Sequence, residues 1–158
     1  MVNTAQLTSA LLLAMAPSAL GGFLHAQNNC GFSIWCAGVL SPSAPGQPGQ
    51  SSPIVQVNAN SAYASPLAAE NNNVGAVTKC SRNSNLSPVY QLEVTIDQGR
   101  SWVDLSAIDG SPFIDVYRRA KIPGSGCAAL ECAPGATNCE WPAFFDCLST
   151  GDIYMTLC

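Results

Sequence analysis

Histidine is almost missing from this chain: its 158 residues contain one, His25. Ser-His-Asp and Cys-His catalysis and histidine-ligated zinc all need an imidazole held by a neighbour, so a single histidine near the start of the chain all but removes them. No cofactor and no metal are expected, and any acid–base chemistry falls to carboxylates. Charge is scarce too, at 10% of residues, with six Lys and Arg against ten Asp and Glu. So few cations form no basic stripe of the kind that neutralises phosphates, which excludes nucleic acid as a partner. Also lacking, beyond the N-terminal apolar segment, is any window of helical length with a sustained 3.6-residue period.

Cysteine, by contrast, is plentiful. Eight in a chain of this size is an even and high count, which reads as a disulfide framework formed in an oxidising compartment rather than as a set of reactive thiols. The apolar, uncharged core from Ala10 to Leu20 is too short to span a bilayer as a stable helix and sits where a secretory signal peptide sits. Cleavage after Ala26 places Leu24 where a small residue is preferred; cleavage after Gly21 places Ala19 there and is the alternative. With residues 1–26 as the leader, His25 leaves with it and residues 27–158 form one domain carrying every charged residue, net −4. No stop-transfer pattern follows, so the mature chain is expected off the membrane and monomeric.

The remaining pattern is short strands. Cys30, Phe32, Ile34 and Cys36 fall on one face of an extended segment, with Gly31, Ser33, Trp35 and Ala37 on the other. Ser41 to Pro53, "SPSAPGQPGQSSP", is too rich in proline and glycine for regular structure and reads as a surface loop. "PIVQVNA" and "NVGAVTKC" are strand candidates, and "GDIYMTLC" closes the chain with another. The clearest is "PVYQLEVTID", where Tyr90, Leu92, Val94 and Ile96 alternate with Gln91, Glu93, Thr95 and Asp97. The fold expected from these is all-β, an antiparallel sandwich stapled by disulfides. "RRAK", Arg118 to Lys121, is the one basic cluster and reads as a solvated loop. "NLS" at Asn85 to Ser87 is a glycosylation sequon, disfavoured by Pro88 after it.

"NNCGF", "YQLEVTI", "WVDLSAIDGSPF", "GCAALEC" and "DCLSTGDIYMTLC", in this order and spacing, resemble the thaumatin-like superfamily, and within it the small fungal secreted Bys1-type, or antigenic thaumatin-like, proteins. The matching blocks cover about Asn28 to Trp35 and Val89 to Cys158, and the match is weak between Leu40 and Pro88. The resemblance implies the thaumatin-like sandwich and the bridges Cys30–Cys158 and Cys127–Cys147, with Cys132 and Cys139 left to close a small loop. Cys36 and Cys80 have no counterpart in the six-cysteine pattern of the branch and most simply pair with each other. Without the resemblance, eight cysteines leave 105 connectivities open.

The resemblance also implies an acidic cleft associated with β-1,3-glucan binding and sometimes hydrolysis. Glu93 matches its glutamate, Asp104 and Asp109 two of its aspartates, Asp115 stands for the third with an offset of one residue, and Arg82 for its arginine. The residues also have plainer explanations: Glu93 faces water from a strand, and Asp104 and Asp109 suit turns. Trp35, Trp102, Trp141 and Tyr117 are stacking candidates for sugar rings or members of the core. Three functions follow: a non-catalytic wall or apoplastic protein binding a β-glucan, a weak endo-β-1,3-glucanase using Glu93 and Asp104, or a secreted effector or antigen whose partner is a host apoplastic protein. Binding without hydrolysis is the expectation, since a general acid needs an apolar pocket and Glu93 lies on a polar face.

Overall fold

The computed structural model describes residues 21–43 and 45–158. Among these residues regular structure is entirely strand. Strands β1 (Leu24–Asn28), β2 (Ile34–Leu40), β3 (Gln50–Ser51), β4 (Val55–Val57), β5 (Ser61–Ala64) and β6 (Ala76–Ser81) form the first half. The second half holds β7 (Tyr90–Asp97), β8 (Arg100–Ser106), β9 (Arg118–Lys121), β10 (Leu130–Cys132), β11 (Phe144–Cys147) and β12 (Ile153–Leu157). They build a five-stranded sheet of order β10-β9-β12-β1-β5 and a seven-stranded sheet of order β11-β8-β7-β6-β2-β3, with β4 also paired to β2. Every ladder is antiparallel except β1 with β12.

Alternation decides which side chains meet between the sheets. Leu92, Val94 and Ile96 of β7, Val103 and Leu105 of β8, and Ile153, Met155 and Leu157 of β12 all turn inward and are buried. Tyr90 and Phe113 meet edge to face at 6.2 Å within this core. All four expected bridges form: Cys30–Cys158, Cys127–Cys147 and Cys132–Cys139 as the resemblance implies, and Cys36–Cys80 from the two cysteines outside its pattern, with no free cysteine. Cys36 and Cys80 stand directly opposite each other on β2 and β6, which is why they pair.

Three sequence expectations change. Cys30 and Cys36 do not share one strand: β1 ends at Asn28, the chain turns, and β2 begins at Ile34. The buried Asn28 amide causes the break, donating to the carbonyls of Phe32, Val57 and Asn58 while its oxygen accepts the Cys30 N–H. Second, β1 begins at Leu24, and Leu24 and Ala26 are fully buried. A chain starting at Gly22 keeps that strand whole, whereas one starting at Gln27 loses three paired residues. His25 is accordingly part of the sheet, stacked on Tyr154 at 4.4 Å with its Nε2 3.2 Å from Asp152. The apolar segment read from the sequence as a leader's core, Ala10 to Leu20, lies outside the described residues.

The third concerns "RRAK", which is strand β9 rather than a solvated loop, and Arg118 in it is fully buried. Its guanidinium donates to the carbonyls of Phe113, Ile114, Val116 and Ala136; those of Phe113 and Ile114 also accept the backbone N–H of Val116 and Gly135. Glu140, itself buried, lies 3.3 Å from Nε as a charge partner without hydrogen-bond alignment. Four carbonyl acceptors and one carboxylate charge make burial of this one cation tolerable.

Candidate ligand face

The outer face of the seven-stranded sheet is set by one turn. Gln98 and Gly99 join β7 to β8 with φ of 49° and 76°, the all-positive backbone of a two-residue type I′ hairpin. That turn fixes Asp97 opposite Arg100, and stepping back along both strands brings Glu93 opposite Asp104. Since β11 pairs with β8 and β6 with β7, a row runs across the sheet: Phe144, Asp104, Glu93, Val77. The adjoining row carries Asp146, Trp102 and Thr95. Phe144 is 55% exposed and Trp102 37%, so the two carboxylates lie beside an open aromatic edge.

Glu93 and Asp104 form a coupled pair. Partial burial, the neighbouring Glu93 charge and the hydrogen bond between the two push the Asp104 carboxyl up to about 7. Glu93 is raised as well, by burial first, with Lys79 pulling it down and Asp109 pushing it up. Asp104 Oδ2 is buried with no N–H or O–H donor reaching it, a position that favours the protonated carboxyl, in the same direction as the raised pKa. Register sets the two directly opposite each other on neighbouring strands; glycoside hydrolysis needs carboxyl groups about 5 to 10 Å apart with a glycosidic bond or water between them. The arrangement suits holding a polyol, with one acceptor and one donor side by side.

Asp109 joins from the loop after β8, 3.7 Å from Lys79 of β6. Gly110 seats that loop: at φ 122° a Cβ there would come within 2.4 Å of the Pro88 side chain, so only glycine lets the turn close against it. Asp115 is placed elsewhere. It pairs with Arg82, whose guanidinium stacks over Phe32 at 4.4 Å and Phe113 at 5.6 Å, and neither acts on Glu93 or Asp104. The two residues that the resemblance offered for the cleft's third aspartate and its arginine therefore bind each other. Of the aromatic candidates, Trp102 lies on the face, and Trp141 is 62% exposed beside Ile108 at the end of β8, where its N–H donates to Leu105. Trp35 is half-buried on β2 and Tyr117 belongs to the other sheet's surroundings, near Glu131. Phe144 was not legible as a site residue; the alternation in "FFDC" is the signal that would have found it.

The pair makes stability depend on pH. A carboxyl whose pKa is higher folded than unfolded holds its proton more tightly in the native state, so its contribution is full below the ordinary carboxylate range and is lost as pH rises through about 7. Thermal unfolding of the wild type and Asp104→Asn from pH 4 to pH 8 should show the variant gaining on the wild type with rising pH. The gain should reach about 1 to 3 kcal/mol at the alkaline end, the lower part of that range reflecting solvent screening at a partly exposed site. Parallel curves would rule out the raised Asp104 pKa.

Two sheets with inward alternation, a parallel pairing of first and last strands locked by Cys30–Cys158, and an acidic outer face define a thaumatin-like β-sandwich protein. Solved structures agree on that fold: the protein elicitor MoHrip2 from Magnaporthe oryzae superposes with a TM-score of 0.70 at 20% identity, over 87% of this chain and 98% of that one. The thaumatin-like xylanase inhibitor TLXI superposes with a TM-score of 0.59 at 17% identity, over 85% and 98%. The chain belongs to the family described as Bys1, Blastomyces yeast-phase-specific protein, whose family model matches residues 12–158. A curated relative, the antigenic thaumatin-like protein of Arthroderma benhamiae, is 25% identical over 142 residues, spanning 87% of this chain and 69% of that protein. Among the described residues no helix is long and apolar enough to cross a membrane.

Proposed function

We propose that the protein is secreted and binds β-1,3-glucan or a related wall polysaccharide, without cleaving it, through the outer face of the seven-stranded sheet. The observation that carries this is the register: Glu93 and Asp104 stand directly opposite each other on an open face and have exposed Phe144 next in their row and Trp102 in the row beside it. Carboxyl groups offer sugar hydroxyls both acceptor and donor, and flat aromatic edges stack on ring faces. Asp109 contributes from the loop and Asp115 does not.

Protein recovered from a culture medium and mixed with insoluble β-1,3-glucan should sediment with it and release no reducing sugar. Glu93→Gln with Asp104→Asn, and separately Phe144→Ala with Trp102→Ala, should each weaken sedimentation by about tenfold, the effect of losing one to two kcal/mol of contact. Release of sugar that Glu93→Gln abolishes would establish the glucanase instead. Unchanged sedimentation in both double variants would move the function to protein recognition. The exposed apolar pair Trp141 and Ile108 favours that second reading, in keeping with similar structures described as an elicitor and a xylanase inhibitor.

A further inference from the structure

The opposite face of the molecule, the outer side of the five-stranded sheet, is built differently. Register places Gln27, Thr156, Arg119 and Glu131 in one row across β1, β12, β9 and β10, and His25, Tyr154 and Lys121 in the next. Gln27, Thr156, Arg119, Lys121 and Tyr154, with Pro123 at the rim, enclose a concavity of about 400 Å³. The Thr156 hydroxyl donates to Gln27 Oε1, so that amide's oxygen is occupied and its NH₂ is left to donate outward. Arg119 has Glu131 as its charge partner, 2.9 Å from Nε without hydrogen-bond alignment, which leaves its terminal nitrogens.

Lys121 differs from every other cation in the chain. Of the six Lys and Arg residues, Lys79, Arg82, Arg100, Arg118 and Arg119 each have a carboxylate partner within 4.0 Å, which leaves one, Lys121, without one among the described residues. All ten acidic residues lie among those described, so none elsewhere can supply it. The two carboxylates on this face are committed, Glu131 to Arg119, and Asp152 to His25 and the Phe23 N–H. In a chain of net charge −4, the concavity therefore presents an unneutralised ammonium, guanidinium nitrogens and an amide NH₂ around the tyrosine ring.

We propose that this concavity is a second ligand site, distinct from the acidic face, and that it takes an acidic sugar: a uronate residue whose carboxylate meets Lys121 and Arg119 while its ring lies along Tyr154. Donors without acceptors select an anion. The tyrosine and the amide add contacts a bare inorganic ion has no use for. Calorimetric titration of the full secreted chain with a galacturonate trisaccharide tests this at low and high NaCl, with a neutral β-1,3-linked glucose trisaccharide and sodium sulfate as comparisons. Galacturonate binding should fall at least about fivefold in Lys121→Gln and again on raising salt to about 0.5 M. It should survive within about twofold in Lys121→Arg and in Lys79→Gln on the other sheet, with neutral-sugar binding unaffected by Lys121→Gln. Galacturonate binding that is absent, or indifferent to Lys121→Gln, overturns the site, and sulfate competing as strongly as the trisaccharide overturns the sugar assignment.

Discussion

Replacing Cys30 and Cys158 together by serine is expected to lower stability by about 5 kcal/mol, the largest single loss available in this protein, by the chain-entropy treatment of a bridge that closes a span of 128 residues. The bond's action is mainly on the unfolded chain. In the folded state β1 and β12 are already aligned in parallel from Leu24 with Ile153 to Asn28 with Leu157, and Asn29 donates to Leu157 just beyond. Without the bridge, the unfolded chain must bring its first and last strands together with no tether, and that loop is the longest in the fold. The same treatment gives about 2 kcal/mol for Cys132–Cys139, which spans seven residues. Urea unfolding of the two double serine variants should therefore rank them in that order. A Cys132/Cys139 variant that is the less stable of the two would show that native-state packing at the small loop outweighs chain entropy.

Arg118 is the second lever. Arg118→Met should destabilise by about 3 to 5 kcal/mol, because it leaves Glu140 buried without its charge partner and takes the guanidinium donors away from the carbonyls of Val116 and Ala136, while those of Phe113 and Ile114 keep a backbone N–H. Arg118→Lys should recover little, since an ammonium has three donors and no fork to reach both groups of carbonyls. Tyr90 reports on the same cluster: burial first, and the Glu140 charge second, hold its hydroxyl far above the ordinary range, against the pull of Arg118. Adding Glu140→Gln to Arg118→Met should return part of the loss by removing the orphaned charge, so the double variant should be more stable than the sum of the singles in denaturant titrations. Strict additivity would mean Glu140 carries no uncompensated charge once Arg118 is gone.

Much of the architecture was legible because it depends on local pattern. The alternation in "YQLEVTID" and in "IYMTL" assigns inward and outward side chains one residue at a time, and both became strands with that facing. The cysteine count fixed a fully paired framework, and the spacing of the blocks supplied its connectivity through resemblance. Even the Glu93 and Asp104 pairing was within reach, since a two-residue turn ending in Gly99 sets the register of everything behind it. The shorter strands were not legible: "SAYA" and "LEC" are too brief to show a period.

What the sequence by itself determined was the class: all-β, disulfide-stapled, without the histidine chemistry of common hydrolases. The tertiary structure alone decided where charges lie. "RRAK" reads as four solvated residues, yet Arg118 is buried because two separate loops, around Phe113 to Val116 and at Ala136, turn their carbonyls onto its guanidinium. Arg82 and Asp115 left the acidic face for each other, since Phe32 and Phe113 offer the guanidinium a stacking platform that only folding assembles. And the Lys121 concavity exists because strands from the two ends of the chain lie side by side, a contact between Gln27 and Thr156 across 129 residues that no local pattern encodes.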